Sequence, residues 1–80
     1  MKGYKKYIVK DCYGMENPYY KYVRKWVVHL FGKLGKTYVF VQRESKSKTV
    51  YYMILTKRNP YPIARRLLLD GLISDIWPAK

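Results

Sequence analysis

The chain has 80 residues, of which seventeen are Lys or Arg and five are Asp or Glu, giving a formal net charge of +12 at pH 7. This length provides one domain, residues 1–80, and leaves no room for a second core. Hydrophobic residues make up 49% and aromatic residues 18% of the chain, which excludes a disordered basic tail. Lysines and arginines interleave with ten tyrosines along the sequence. Such an excess of positive charge indicates a polyanionic partner, because each phosphate that a cation neutralises releases condensed counterions.

The few reactive side chains argue against most enzyme and metal chemistry. Cys12 is the single cysteine and His29 the single histidine, so neither a disulfide framework nor a zinc cluster is expected. The acidic residues lack the spacing of a two-metal nuclease, and no glycine-rich phosphate loop is present. The sequence therefore predicts a protein without enzymatic activity, cofactor or metal.

Cysteine usage and hydropathy also indicate a compartment. A lone Cys12 is typical of a reducing, cytoplasmic setting. No stretch reaches the roughly 18 apolar residues of a membrane-spanning helix, so no membrane partner is expected. Asparagine and glutamine are limited to Asn17, Gln42 and Asn59, a scarcity typical of thermophilic proteins.

Residues 4–9 are rich in β-forming types and predict a first strand, followed by a loop over residues 11–18. Residues 18–34 fit two secondary structures. As a helix they begin with Asn17 as N-cap and Pro18 at the first helical position, and they separate apolar from basic residues onto two faces. As a strand they alternate apolar and polar side chains over part of their length. The helix is favoured because it sorts the residues more completely.

Residues 37–43 and 49–56 predict two strands of a hairpin, joined by a polar loop. Residues 57–62 break the sheet, and residues 62–76 have the periodicity of a second helix. The order β-α-β-β-α predicts an α+β fold, with a small antiparallel sheet packed by helices. If residues 18–34 form a strand, the alternative is a three-stranded antiparallel sheet with one C-terminal helix. An edge strand of this sheet is expected to stay exposed and could pair with a second copy, so both a monomer and a homodimer are compatible with the sequence.

The predicted hairpin carries the sharpest binding candidate. Its aliphatic face is expected to pack on the helices, which leaves an aromatic face and a lysine-bearing tip for a ligand. A two-stranded ribbon fits the major groove of DNA, and lysines at its tip would follow phosphates. Further cations lie before and within the first turn of the second helix and along one stripe of the first helix. The candidate nucleic-acid-binding residues are Lys46, Lys48, Lys57, Arg58, Arg65, Arg66, Lys21, Arg24, Lys25, Tyr38, Tyr51 and Tyr52.

Residues 36–41, with the sequence Lys-Thr-Tyr-Val-Phe-Val, resemble the aromatic strand motif of RNA-recognition-motif domains. In those domains, alternating aromatic side chains on a sheet stack on bases. The similarity covers six residues. The segment lacks the glycines of the motif, and it directly follows the first predicted helix. We treat it as an analogy and not as a family assignment.

These features together predict a small, stand-alone nucleic-acid-binding protein, with double-stranded DNA favoured over RNA. Binding would rest mainly on phosphate contacts from Lys and Arg, supported by tyrosine side chains. The alternative is a protein-interaction module, an inhibitor or adaptor that docks on an acidic partner through tyrosine and arginine anchors.

Overall fold

The computed structural model describes residues 2–14, 17–44 and 46–79. Its elements run in the order β-α-β-β-α-β and form an α+β fold, which confirms the predicted class and adds one C-terminal strand. The elements are β1 (Lys5–Asp11), α1 (Tyr20–Gly32), β2 (Thr37–Glu44), β3 (Thr49–Thr56), α2 (Tyr61–Leu69) and β4 (Ile73–Pro78).

The strands form one antiparallel sheet of four strands in the order β2-β3-β1-β4. Strand β3 lies between β1 and β2, and β1 lies between β3 and β4, so each helix connects two strands that are separated by a third. This split β-α-β arrangement places both helices on one face of the sheet. Contacts of α1 with β2, of α2 with β4 and of the two helices with each other agree with that placement. Neither of the helices in the described part of the chain covers the opposite face.

The side chains that face the helices form the core. Along β3 the burial alternates strictly, with Val50, Tyr52 and Ile54 fully buried and the residues between them half-buried. Helix α1 contributes Val27 and Phe31, which are also fully buried, because its apolar residues recur at helical spacing. Burial of each such side chain stabilises the fold by about 1.5 to 3 kcal/mol. The core thus fixes which face of each strand points away from the helices.

The helix favoured over residues 18–34 is present, but its start differs from the prediction. Helix α1 begins at Tyr20, and Tyr19 rather than Asn17 is the capping residue. Asn17 instead forms a turn, in which its Oδ1 accepts the N–H of Tyr19 at 2.8 Å and its carbonyl accepts the N–H of Tyr20 at 3.0 Å. Because this turn precedes the helix, the predicted N-cap at Asn17 and helical start at Pro18 are wrong.

The second helix is shorter than predicted. Helix α2 ends at Leu69, and the N–H groups of Gly71 and Leu72 bond carbonyls of its last turn at 3.1 and 2.9 Å. With a φ of 73° at Gly71, these bonds form a Schellman motif, which requires a residue that tolerates the left-handed region. The predicted continuation to residue 76 is therefore wrong, and residues 73–78 pair with β1 as β4.

Asp11 is a buried acid at the end of β1 and is only 4% exposed. Its Oδ2 accepts the hydroxyl of Tyr52 at 2.6 Å, and its Oδ1 accepts the N–H of Tyr13 at 2.8 Å. Burial raises the pKa of the Asp11 carboxyl above its ordinary value, and these hydrogen bonds partly oppose the rise. Burial and the adjacent Asp11 also raise the pKa of Tyr52 far above its ordinary range. The pair joins β1 to β3 within the core.

The raised pKa of Asp11 predicts a distinct dependence of stability on pH. Because the folded-state pKa lies above the ordinary value of 3.8 for an Asp carboxyl, protonated Asp11 contributes stability that is fully present below that value. The contribution is lost as the pH rises through the folded-state pKa. The free energy of unfolding of the wild type minus that of Asp11→Asn should therefore fall as the pH rises from about 3.8 through the folded-state pKa. Urea titrations across this range test the prediction, and a flat or rising difference would contradict it.

Among the described residues, no helix is long and apolar enough to cross a membrane.

Candidate nucleic-acid interface

We call the sheet surface opposite the helices the open face. Its side chains alternate along each strand with those that enter the core, so the strand register identifies them. They are Lys6, Ile8, Lys10, Tyr38, Phe40, Gln42, Glu44, Thr49, Tyr51, Met53, Leu55, Asp75 and Trp77.

An apolar row crosses the middle of the open face. Each residue of the row is the direct cross-strand partner of the next, so the row runs across the full width of the sheet. Phe40 and Trp77 at its two ends are 44% and 37% exposed, which leaves both rings accessible to a ligand. From β2 to β4 the row consists of Phe40, Met53, Ile8 and Trp77. An outward apolar band on a solvated sheet marks an interaction surface.

Tyrosines extend the apolar row on both sides. The Tyr51 ring meets the Trp77 ring edge to face, with centroids 6.4 Å apart. On the other side of the row, Tyr38 is 47% exposed, and its ring lies 5.8 Å from that of Tyr4. The open face therefore presents aromatic rings at several separate positions, each with a surface on which a planar group can stack.

Lysines flank the same rings. Lys6 and Lys10 lie on either side of Ile8 along β1, and both are exposed. Lys57 places its Nζ 5.2 Å from the centre of the Tyr4 ring, a cation–π contact at the edge of the open face. Two acids belong to this face as well: Asp75 is the partner of Lys10, and Glu44 lies at the end of β2. Positive charge is thus concentrated around Ile8 and towards Tyr4.

A second cluster of cations gathers at the start of α1. The guanidinium carbons of Arg24 and Arg43 lie 5.6 and 5.9 Å from the centre of the Tyr20 ring. The Nε of Arg43 also donates a hydrogen bond of 2.8 Å to the Tyr20 hydroxyl, which holds its side chain against the helix. Two arginines around one aromatic ring form a positively charged patch beside the β2 edge.

The candidate residues predicted from the sequence lie in several separate regions. Tyr38 and Tyr51 belong to the open face. Lys46 and Lys48 are exposed in the turn between β2 and β3, and Lys57 and Arg58 are exposed between β3 and α2. Arg65 and Arg66 are exposed on α2, while Lys21 and Lys25 are exposed and Arg24 half-buried on α1.

Tyr52 does not belong to any binding surface. Its side chain is fully buried, and its hydroxyl is engaged with Asp11. The expectation that Tyr52 contacts a ligand is therefore wrong, because Tyr51 and Tyr52 are consecutive on a strand and must point to opposite faces.

Of the aromatic rings and lysines on the open-face strands, sequence reasoning did not include Phe40, Trp77, Lys6 and Lys10 among its candidates. The signal for Phe40 was available, since it alternates with Tyr38 along the same predicted strand. Trp77 could be found only by recognising β4, which the predicted second helix concealed. Lys6 and Lys10 gain significance from the central position of β1, which the sheet order reveals.

The turn that carries Lys48 packs against the loop after β1. A Cβ atom added to Gly14 would lie 2.8 Å from the carbonyl oxygen of Lys48, so only glycine fits this approach. Lys48 has a φ of 59°, in the left-handed region, which closes the turn. The lysine-bearing tip is thus supported by the neighbouring loop.

The described residues contain no group of three or more His, Cys, Asp and Glu side chains that could hold a metal ion. Comparison of the chain with family models, with curated proteins and with solved structures finds no match.

Proposed function

We propose that this protein binds nucleic acid and that the open face is its binding surface for an unpaired strand. The observation that carries the proposal is the apolar row from Phe40 to Trp77, with exposed lysines beside it. Base–aromatic stacking tolerates any sequence because every base has a π-face. Lysines beside the stacked bases neutralise the phosphates that connect them.

A binding mode follows from the positions of these side chains. The rings of Phe40, Tyr51 and Trp77 stack on splayed bases, and Tyr38 extends the surface towards Tyr4. Lys6, Lys10 and Lys57 contact the sugar-phosphate backbone around them. Such contacts bind a strand without selecting its sequence.

The form of the nucleic acid is the first property to test. In a duplex the base faces are already stacked on one another, so the rings of the open face gain little from it. The preference for double-stranded DNA expected from charge and the hairpin tip is the opposite prediction, and the same measurement tests it. The aromatic surface favours a single strand as the tighter ligand.

The proposal is tested by fluorescence anisotropy with labelled single-stranded DNA, single-stranded RNA and duplex DNA of equal length. We expect tighter binding of either single strand than of the duplex at the same salt concentration. No binding to any of the three at about 50 mM salt would overturn the proposal.

The rival function is a protein-interaction module that uses the same open face, since apolar rows also serve protein interfaces. Competition separates the two. A nucleic-acid-binding protein is displaced from a labelled strand by the same strand unlabelled, and an acidic polypeptide of equal charge competes only at low salt. Equal competition by the polypeptide at moderate salt would favour the protein-interaction module.

The cations predict a steep salt dependence for duplex binding. If about five to eight phosphates are neutralised, log affinity should fall against log salt with a slope of roughly −4.5 to −7. Changing Lys46 and Lys48 to alanine should reduce the size of this slope by about 1 to 2 and weaken all sequences equally, because phosphate contacts carry no base information. An unchanged slope would exclude the hairpin tip from the binding surface.

A further inference from the structure

The outer surface of the helix layer is a second basic and aromatic surface, which we call the helix face. We define it by six of the outward side chains of the two helices, namely Lys21, Tyr22, Lys25, Trp26, Arg65 and Arg66. All six are exposed. None of them belongs to the open face.

The helix face and the open face point in opposite directions. At about 100° per residue, Lys21 and Lys25 fall on the side of α1 opposite its buried residues Val23 and Val27. The buried side of α1 rests on the sheet, so the two lysines point away from it. The two faces are the outer surfaces of one helix layer and one sheet, so they are separated by the thickness of these two layers.

Charge on the helix face is almost entirely positive. Neither α1 nor α2 contains an acidic residue, and one acid, Asp70, caps the end of α2 and lines the groove between the helices together with Arg66. Lys21 and Lys25 are one helical turn apart, about 6 Å along the axis, and form a basic stripe. A surface of this sign is complementary to a phosphate backbone.

Exposed aromatic rings lie beside these cations. The rings of Tyr22 and Trp26 meet edge to face, with centroids 6.3 Å apart. Tyr22 is 56% exposed and Trp26 is 40% exposed. Together with Leu30 they line one side of a groove between the helices, and Arg66, Asp70 and Leu72 line its other side. An aromatic groove with an arginine beside it repeats on the helix face the combination of rings and cations that marks the open face.

We propose that the helix face binds a second segment of nucleic acid, so that one protein molecule bridges two segments. The inference rests on the proposed function, because the first segment occupies the open face. Because the two faces point in opposite directions, both can bind a segment at the same time. The net charge of +12 favours the binding of two polyanions to one protein molecule. The protein would therefore gather nucleic-acid strands as well as bind them.

Bridging is tested with oligo-deoxythymidine fixed to beads and a second, fluorescent oligo-deoxythymidine in solution, since the two cannot pair with each other. The wild type should carry the second strand onto the beads. The test variant is Lys21→Gln/Lys25→Gln/Arg66→Gln, with all changes on exposed positions of the helices. Its matched control is Lys2→Gln/Lys5→Gln/Lys33→Gln, which removes the same charge from exposed positions outside both faces.

We expect the affinity of the test variant for the fixed strand to stay within about threefold of that of the wild type. The amount of fluorescent strand that it carries onto the beads should fall about tenfold or more. The control should retain capture, and circular dichroism should show all variants folded. Equal loss in the control, or full capture by the test variant, would overturn the inference. Binding of the fixed strand without any capture by the wild type would overturn bridging alone, whereas no binding of the fixed strand would overturn the proposed function and bridging together.

Discussion

Changing Phe40 or Tyr51 to alanine is expected to weaken binding of single-stranded nucleic acid by about 1 to 3 kcal/mol for each ring removed. This corresponds to an increase in Kd of about 5-fold to about 150-fold. The physical reason is the loss of a stacking surface on the open face, where Phe40 is 44% exposed and the Tyr51 ring contacts that of Trp77. Fluorescence anisotropy at fixed salt measures the change.

Tyr19→Ala provides the matched control, because Tyr19 is 65% exposed and lies at the start of α1, away from the open face. We expect its affinity to stay close to that of the wild type. Neither open-face variant removes charge, so the dependence of affinity on salt should keep its slope. If Tyr19→Ala weakens binding as much as Phe40→Ala, the rings of the open face do not form the stacking surface.

Changing Tyr52 to phenylalanine is expected to lower the free energy of unfolding by about 1.5 to 3 kcal/mol. The change removes the hydrogen bond of 2.6 Å to Asp11 and leaves one oxygen of a buried carboxyl without that donor. In a domain of this size, such a loss is a large part of a total stability on the order of 5 kcal/mol. Urea unfolding followed by circular dichroism measures it.

A second measurement separates the hydrogen bond from simple packing. The Tyr52 hydroxyl lowers the pKa of Asp11, so its removal should raise that pKa further in a carboxyl titration by NMR. Tyr19→Phe removes an exposed hydroxyl and should change stability by less than about 0.5 kcal/mol. A Tyr52→Phe protein as stable as the wild type, with an unchanged Asp11 pKa, would show that the pair contributes nothing.

The sequence predicted the elements whose patterns are local. Alternation along β2 and β3 located the hairpin and its two faces, and helical spacing located α1. The error in α2 has one cause. Leu72, Ile73 and Ile76 continue the helical spacing by coincidence, whereas Gly71 ends the helix through its backbone conformation.

The candidate site was harder to predict because it depends on strand order. Lys6 and Trp77 are far apart in the sequence and share the open face only because β1 pairs with β4. Tyr52 was assigned to the binding surface although it lies in the core. Its residue type suits both a core and a binding surface, and only its register against β1 and its contact with Asp11 decide between them.

The central place of β1 in the sheet has a consequence for how the chain folds. β1 is the first of the four strands to be synthesised, but its partners are β3, which begins at Thr49, and β4, which ends at Pro78. Pairing between such distant segments is slow, because closing the loop costs entropy before the contacts form. A nascent chain therefore lacks both partners of β1 until β3 has left the ribosome, and one edge of β1 stays unpaired until β4 has followed. Synthesis, and not the folded state, is the stage at which this protein is most open to aggregation.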